Sequence, residues 1–346
     1  MGKVKDEALF LLIKNFLTIY LPTCRNVSDN TITTYRTAIN QFLKYVADAK
    51  GISVLAVTSN MFSYELVNGY LCFISEQKSL SPATMNNRLA AIRSFIAYAS
   101  ACNPEYISLY SELSAIKMQK TELFAKVDYM SEAAVKAMFD EPDTSTEIGI
   151  RDQFMMIFLY DTGARIQEVL NVKLCDIKTG KTPTAKLWGK GRKMRTVPLM
   201  KDTVSHLQNY LTVYHKGTPM LSNENLFYTK RKGIKAAMSD DAVRVRLQKY
   251  ADAAREKCPE IPEKVYPHLW RHTRAMHLYQ HGMDLTLVSQ WLGHSNMETT
   301  LTYAYADTEA KRTAIEKAMA DNPSTVAEDT KCIVTDEDIL KQLYGL

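Results

Sequence analysis

Residues 117–128, KMQKTELFAKVD, are polar and mixed in charge, and long stretches with helical apolar spacing lie on either side. Such a break divides the chain before any motif is considered. The length is 346 residues, and domains commonly run to about 100–200 residues. Two domains are therefore expected, 1–116 and 129–321, joined by a linker at 117–128 and followed by a tail at 322–346. An apolar fraction of 46% supplies enough side chains for two cores.

The first domain reads as four or five helices. Ile32, Tyr35, Ile39, Phe42 and Val46 recur at helical spacing, with Asp29 or Asn30 available as a cap. A helix is expected near 61–77. Another opens at Ser81-Pro82, an N-cap followed by proline in the first turn, with Met85, Leu89, Ile92, Phe95 and Ile96 as its stripe. Arg88 and Arg93 fall off that stripe and face solvent or a ligand.

In the second domain a helix starts at Ser131. The segment 149–174 is helical with a break at Asp161-Thr162-Gly163. Residues 184–188 and 194–199 read as a hairpin around Gly189-Lys190-Gly191-Arg192-Lys193. Helices follow at 201–214, 239–255, 268–281, 284–292 and 297–319. The class is mainly α with a small antiparallel sheet. The tail holds a short amphipathic segment with Thr335 as cap and Ile339, Leu340 and Leu343 apolar.

Several function classes are disfavoured. No run of about 18 apolar residues is evident, so no membrane span is expected. The start, MGKVKDEALFLLIKNFL, has charges inside its apolar stretch and no small-residue cleavage site, unlike a signal peptide. Cysteines 24, 72, 102, 175, 258 and 332 form no CxxC pair and read as reduced thiols of a cytoplasmic protein. Charge is unevenly spread. Residues 181–200 carry six basic residues and no acid, whereas 321–340 carry six acids and one lysine. A basic patch beside an acidic tail suits a polyanion partner.

The chemistry concentrates in an ordered set. Asp161-Thr162-Gly163-Ala164-Arg165 precedes Lys190 in the hairpin; His268 and Arg271 share a helix face; Gly293-His294-Ser295 follows, and Tyr303 stands nine residues beyond His294. Arg165, Lys190, His268, Arg271, His294 and Tyr303, in this order and spacing, resemble the tyrosine recombinase (phage integrase) family. The resemblance covers the second domain, and the first is similar to the family's helical core-binding domain. Ala164 and Trp270 stand where leucine is common in the family, and neither change removes a functional group.

The resemblance implies a DNA breaking and rejoining fold and a site-specific recombinase that integrates, excises or transposes DNA. Tyr303 is then the nucleophile, and the product is a 3′-phosphotyrosine with a free 5′ hydroxyl, so neither ATP nor metal is required. Elementary chemistry agrees. Attack on a phosphodiester develops a second negative charge, and catalysis consists mainly of positioning and charge stabilisation. Arg165 and Arg271 suit a phosphate clamp. His268 and His294 add donors, and His268 can also take the Tyr303 proton. Nearby positive charge is expected to lower the Tyr303 pKa. Lys190 can protonate the leaving 5′ oxygen, and Glu168 orients His268 or braces the site. Arg192, Lys193 and Arg195 beside the site, with Arg88 and Arg93 on the first domain, are candidate DNA contacts. Two domains clamping duplex DNA, a tetramer on two duplexes, a tail near 336–344 that docks on a neighbouring protomer or, as the competing idea, covers its own basic site, and accessory DNA-bending proteins complete the expectation. The location is cytoplasmic, at the nucleoid. Helical sequence starting within ten residues implies no added arm-binding domain.

Competing readings follow from single features. His268/His272 and His277/His281 are i, i+4 pairs of the kind that can share zinc, but no HExxH accompanies them. GxxxxGK[ST] is absent. Tyr305 competes with Tyr303, but two helical residues rotate a side chain by about 200°, so only one faces the site. A type IB topoisomerase and a non-catalytic DNA-binding regulator are the alternative functions.

Overall fold

The computed structural model describes residues 4–76, 80–120, 127–189, 193–294, 296–306, 312 and 316. The chain separates into two compact units, Met1–Leu123 and Phe124–Leu346, and the division falls inside the expected linker.

The first unit is helical. Helix α1 (Glu7–Asn15) runs into a π-helical segment, Phe16–Cys24, and is followed by α2 (Asp29–Lys50), α3 (Tyr64–Glu76), α4 (Pro82–Cys102) and α5 (Ile107–Ser114). Ser28, not Asp29 or Asn30, caps α2: its hydroxyl accepts the Thr31 N–H. Ser81 caps α4 in the same way. The stripe read from the sequence lies inside. Ile39, Phe42, Val46, Ile92, Phe95 and Ile96 are all fully buried, and they close on Phe16, Phe62 and Tyr70. Glu7–Cys24 is a continuous helical stretch with mean hydropathy 1.3, apolar enough by length and composition to cross a membrane, which the sequence reading did not anticipate. Its Leu9, Ile13, Phe16, Leu17 and Leu21 pack into the domain core, the usual role of such a stretch in a globular unit.

The second unit contains α6 (Glu132–Asp140), α7 (Glu147–Thr162), α8 (Ile166–Asn171), strands β1 (Ile177–Lys178), β2 (Thr184–Trp188) and β3 (Met194–Pro198), α9 (Lys201–Tyr214), strands β4 (Tyr228–Arg231) and β5 (Ile234–Ala237), α10 (Asp240–Ala254), α11 (Pro267–Gln280), α12 (Leu285–Leu292) and α13 (Glu298–Ala306). Strands β1-β2-β3 form an antiparallel sheet in which Ala185 faces Val197 and Leu187 faces Arg195. Residues 154–159 of helix α7 are all buried in the core, beside the buried Arg151–Asp152 ion pair. Trp270 is fully buried and stacked on Phe139 with centroids 5.6 Å apart, so the larger side chain has its own place in the core. The β4–β5 hairpin escaped the sequence reading. Its turn is Lys232-Gly233, both at positive φ (49° and 80°), the two-residue geometry that Asn-Gly usually signals; lysine in the first position hides it. The tail 322–346 and residues 190–192 at the first hairpin's tip lie outside the described residues.

Candidate active site

Four chain segments converge through backbone carbonyls. Helix α7 ends at Gly163, left-handed at φ 57°, where a Cβ would lie 2.8 Å from Leu292 Cδ2. The turn leaves Gly163 O free to accept from Arg271 Nη1 at 2.7 Å, and Arg271 Nη2 donates to Leu292 O at 2.7 Å. Arg271 thus ties the α7–α8 turn to the end of α12. Two of its five N–H donors are used in this way, which leaves three. Helix α12 ends at Gly293, also left-handed (φ 65°), where a Cβ would lie 3.0 Å from Arg195 Cδ. The next residue is His294, and α13 then delivers Tyr303.

Arg165 sits at the start of α8 with an exposed side chain. Glu168 reaches back to accept its backbone N–H and its Nη1, both at 3.0 Å. The same carboxylate is ion-paired with Arg195 Nη2 at 2.8 Å and is 3% exposed. Burial pushes the Glu168 carboxyl up, but Arg195 and Arg165 outweigh it and hold it below the ordinary carboxylate value. Glu168 therefore braces the two arginines, the second of the roles expected for it.

The positive charge is concentrated. Burial, then the neighbouring charges of Arg165 and Arg195, push the Arg271 guanidinium down to about 9. Burial, then Arg271 and Arg165, push His294 down to about 3, and its Nδ1 meets the Thr300 hydroxyl at 2.8 Å. His268 is exposed; partial desolvation of its ring, then Arg271, Arg165 and Arg244, hold it below the ordinary imidazole value. The arginine contributions to each of these shifts mark a cluster of positive charge around the site.

Tyr303 is 1% exposed, whereas Tyr305 is 49% exposed, so the helical rotation that separates them places Tyr303 inward. Its ring lies 6.4 Å from the His294 ring, nearly parallel. Burial pushes the phenol up to about 12, against the opposing pull of Arg271 and Arg165. The expected lowering is therefore corrected: the cations act in the anticipated direction, and desolvation exceeds them. The hydroxyl meets His272 Nδ1 at 3.0 Å. His268, named as the proton acceptor, makes no hydrogen bond to it. Sequence reasoning named His272 only as half of an i, i+4 histidine pair and gave it no role at the site. The available signal was its i, i+4 spacing from His268, which puts both on one face of α11.

Two of the arginines expected to contact DNA have partners within the protein. Arg195 is buried in the brace: Nε donates to Trp291 O at 2.9 Å, and the side chain is 13% exposed. Arg93 donates from Nε to Leu113 O at 2.8 Å and from Nη2 to Ser114 O and Ile116 O. It closes the C-terminus of α5, where carbonyls lack helical partners and a cation is favoured. Arg88 is half-buried, its Nε enclosed without a hydrogen-bond partner. Lys193 is exposed. Lys190 and Arg192 lie outside the described residues. Arg93→Ala is expected to cost about 1.5–3 kcal/mol, the loss of hydrogen bonds from a charged group. It should lower the urea midpoint while leaving the salt dependence of DNA binding unchanged; a shallower salt slope would restore Arg93 as a phosphate contact.

The zinc-like histidine spacing has other uses here. His277 meets the Tyr160 hydroxyl at 2.8 Å through Nδ1 and Met130 O at 2.9 Å through Nε2. His281 Nδ1 meets His277 O at 2.7 Å.

Comparisons with known proteins give the family and the fold. Residues 128–310 match the phage integrase family, and residues 13–102 match the phage integrase N-terminal SAM-like domain. A putative integrase/recombinase of Sinorhizobium fredii is 29% identical over 316 residues, 90% of this chain and 92% of its own. Tyrosine recombinase XerC of Pelotomaculum thermopropionicum is 29% identical over 318 residues, covering 90% and 98%. In fold, the chain is similar to XerH site-specific recombinase in a post-cleavage complex with palindromic difH substrate (TM-score 0.65, 21% identity, 92% and 98% covered). It is also similar to a lambda integrase tetramer bound to a Holliday junction (TM-score 0.59, 16% identity, 88% and 76% covered). The catalytic family match spans more than half of the sequence, and the chain belongs to the phage integrase family of tyrosine recombinases, enzymes that cleave and rejoin DNA.

Proposed function

We propose that this chain is a site-specific recombinase of double-stranded DNA in which Tyr303 attacks the scissile phosphate and forms a 3′-phosphotyrosyl link. One observation carries the assignment of residues: α11 and α13 bring the Tyr303 phenol into the field of Arg271 and Arg165. Arg271, held rigid by two carbonyls, and the exposed Arg165 receive the phosphate oxygens. His268 and His294 donate to the same oxygens. Lys190 protonates the departing 5′ oxygen. Rejoining reverses these steps, because the phosphotyrosine retains the energy of the broken bond. Exchange between two duplexes cuts four strands, so four protomers assemble. Relatives in this fold include XerH bound to difH and a lambda integrase tetramer on a Holliday junction, which supports such an assembly.

The test uses nicked duplexes carrying the sequences that flank the chain's own gene, so that the released 5′ fragment diffuses away and the cleaved state is trapped. The expected result is a covalent protein–DNA band on a denaturing gel at one phosphate. Absence of any adduct overturns the enzyme reading in favour of a regulator. Relaxation of any supercoiled plasmid, without site preference, overturns it in favour of a topoisomerase.

A further inference from the structure

The nucleophile needs a proton acceptor, and burial makes that need acute. A buried, neutral phenol at neutral pH has a vanishing phenolate fraction, and the neighbouring arginines do not reverse this. An acceptor must touch Tyr303 Oη. We infer that His272 is a further catalytic residue, the general base that takes the Tyr303 proton during cleavage and returns it during rejoining.

The geometry carries the assignment. His272 Nδ1 is 3.0 Å from Tyr303 Oη, within the reach required of a general base. The rings are tilted at 63° with centroids 5.8 Å apart, so the contact is made through the nitrogen and not by stacking. His272 sits mid-helix on α11, directly after the rigid Arg271, so the base and the phosphate clamp share one backbone. Its ring is packed edge-on against His268 at 4.5 Å. His268 itself is exposed and makes no hydrogen bond among the described residues, which suits a donor waiting for phosphate and not the partner of a buried phenol.

The groups facing His272 are His268 and Arg271 on its own helix, Asp128 ahead of α6, His294 after α12, and Tyr303 on α13. Burial first, then His268 and Arg271, hold it down to about 4, and Asp128 acts in the opposite sense. His272 is therefore neutral at physiological pH, as a base must be. With Nε2 carrying the ring proton, Nδ1 is free to accept. A phosphodiester seated on Arg271 and Arg165 offsets the charge that now depresses His272, so its basicity rises when the substrate arrives.

The step balances. The Tyr303 O–H bond breaks as Oη bonds to phosphorus; the proton passes to His272 Nδ1, giving an imidazolium. The bond from phosphorus to the 5′ oxygen breaks, and that oxygen receives a proton from Lys190. Rejoining runs in reverse, the imidazolium reprotonating the leaving phenolate.

This inference rests on the recombinase reading, and the experiment separates the two. Single-turnover cleavage is measured from pH 7 to 8.5 with a suicide duplex whose scissile phosphate has a 5′-bridging sulfur. A thiolate leaves without a proton, so the Lys190 step drops out. Wild type is expected to give a nearly flat profile. His272→Ala and His272→Gln are expected to cleave about 10²–10⁴ times more slowly, with rates rising about tenfold per pH unit because hydroxide must now ionise the phenol. Added imidazole should partly restore His272→Ala. Glutamine can accept the Tyr303 hydrogen bond but not the proton, so full activity in His272→Gln would reduce His272 to a positioning residue and overturn the proposal. His272→Ala cleaving within about threefold of wild type, with a flat profile, also overturns it. His268→Ala is expected to be slower yet to keep the flat profile; a slope appearing there instead would move the base to His268. Melting curves and DNA affinity verify folding of each variant, and His272→Gln carries the test if the alanine variant does not fold. Wild type forming no adduct would instead refute the recombinase reading itself.

Discussion

The Tyr303→Phe protein is expected to bind its DNA site with affinity close to wild type and to form no detectable covalent adduct. The substitution removes the hydroxyl proposed to attack, and no other described residue is placed as an activated nucleophile. The expected loss is at least about 10⁴-fold in single-turnover cleavage, since groups acting as a unit fail together. Tyr305→Phe is the control. Tyr305 is half-exposed on the other side of α13, and its substitution is expected to leave cleavage within about twofold. Denaturing gels of both variants beside wild type check this directly.

Arg271→Ala is expected to lose both rate and stability. The rate loss comes from removing a phosphate donor in a desolvated site, about 10²–10³-fold or more. The stability loss comes from Gly163 O and Leu292 O, each held by Arg271 at 2.7 Å. An unsatisfied buried acceptor costs about 1–3 kcal/mol. Arg271→Lys separates the two contributions. One ammonium cannot span both carbonyls and also grip phosphate in the bidentate manner of a guanidinium. That variant should recover part of the urea midpoint and less than about a tenth of the cleavage rate. Equal recovery of both would mean that Arg271 contributes only charge.

The helices were legible because capped starts and apolar stripes depend on local sequence. Ser81-Pro82 opens α4, and the α9 limits agree to the residue. The motif residues were legible because recombination chemistry needs particular functional groups in a fixed order. Arg165, Arg271, His294 and Tyr303 do meet around one site. What sequence could not supply is partner choice. Arg93 and Arg195 look like free cations, yet Arg93 donates to backbone carbonyls and Arg195 to a backbone carbonyl and the Glu168 carboxylate, all from residues distant in the chain. His272 looks like a spare histidine until α13 folds onto α11. The direction of the Tyr303 shift was misjudged for the same reason: charge can be counted in a sequence, and desolvation cannot. The β4–β5 hairpin was hidden by an uncommon turn residue.

The account depends on which atom becomes joined to DNA. Protease digestion of the trapped wild-type adduct, followed by mass spectrometry of the nucleotide-bearing peptide, identifies that atom. The predicted result is a 3′-phosphate on Tyr303. A nucleotide on Tyr305, on a serine or on any other residue would contradict it.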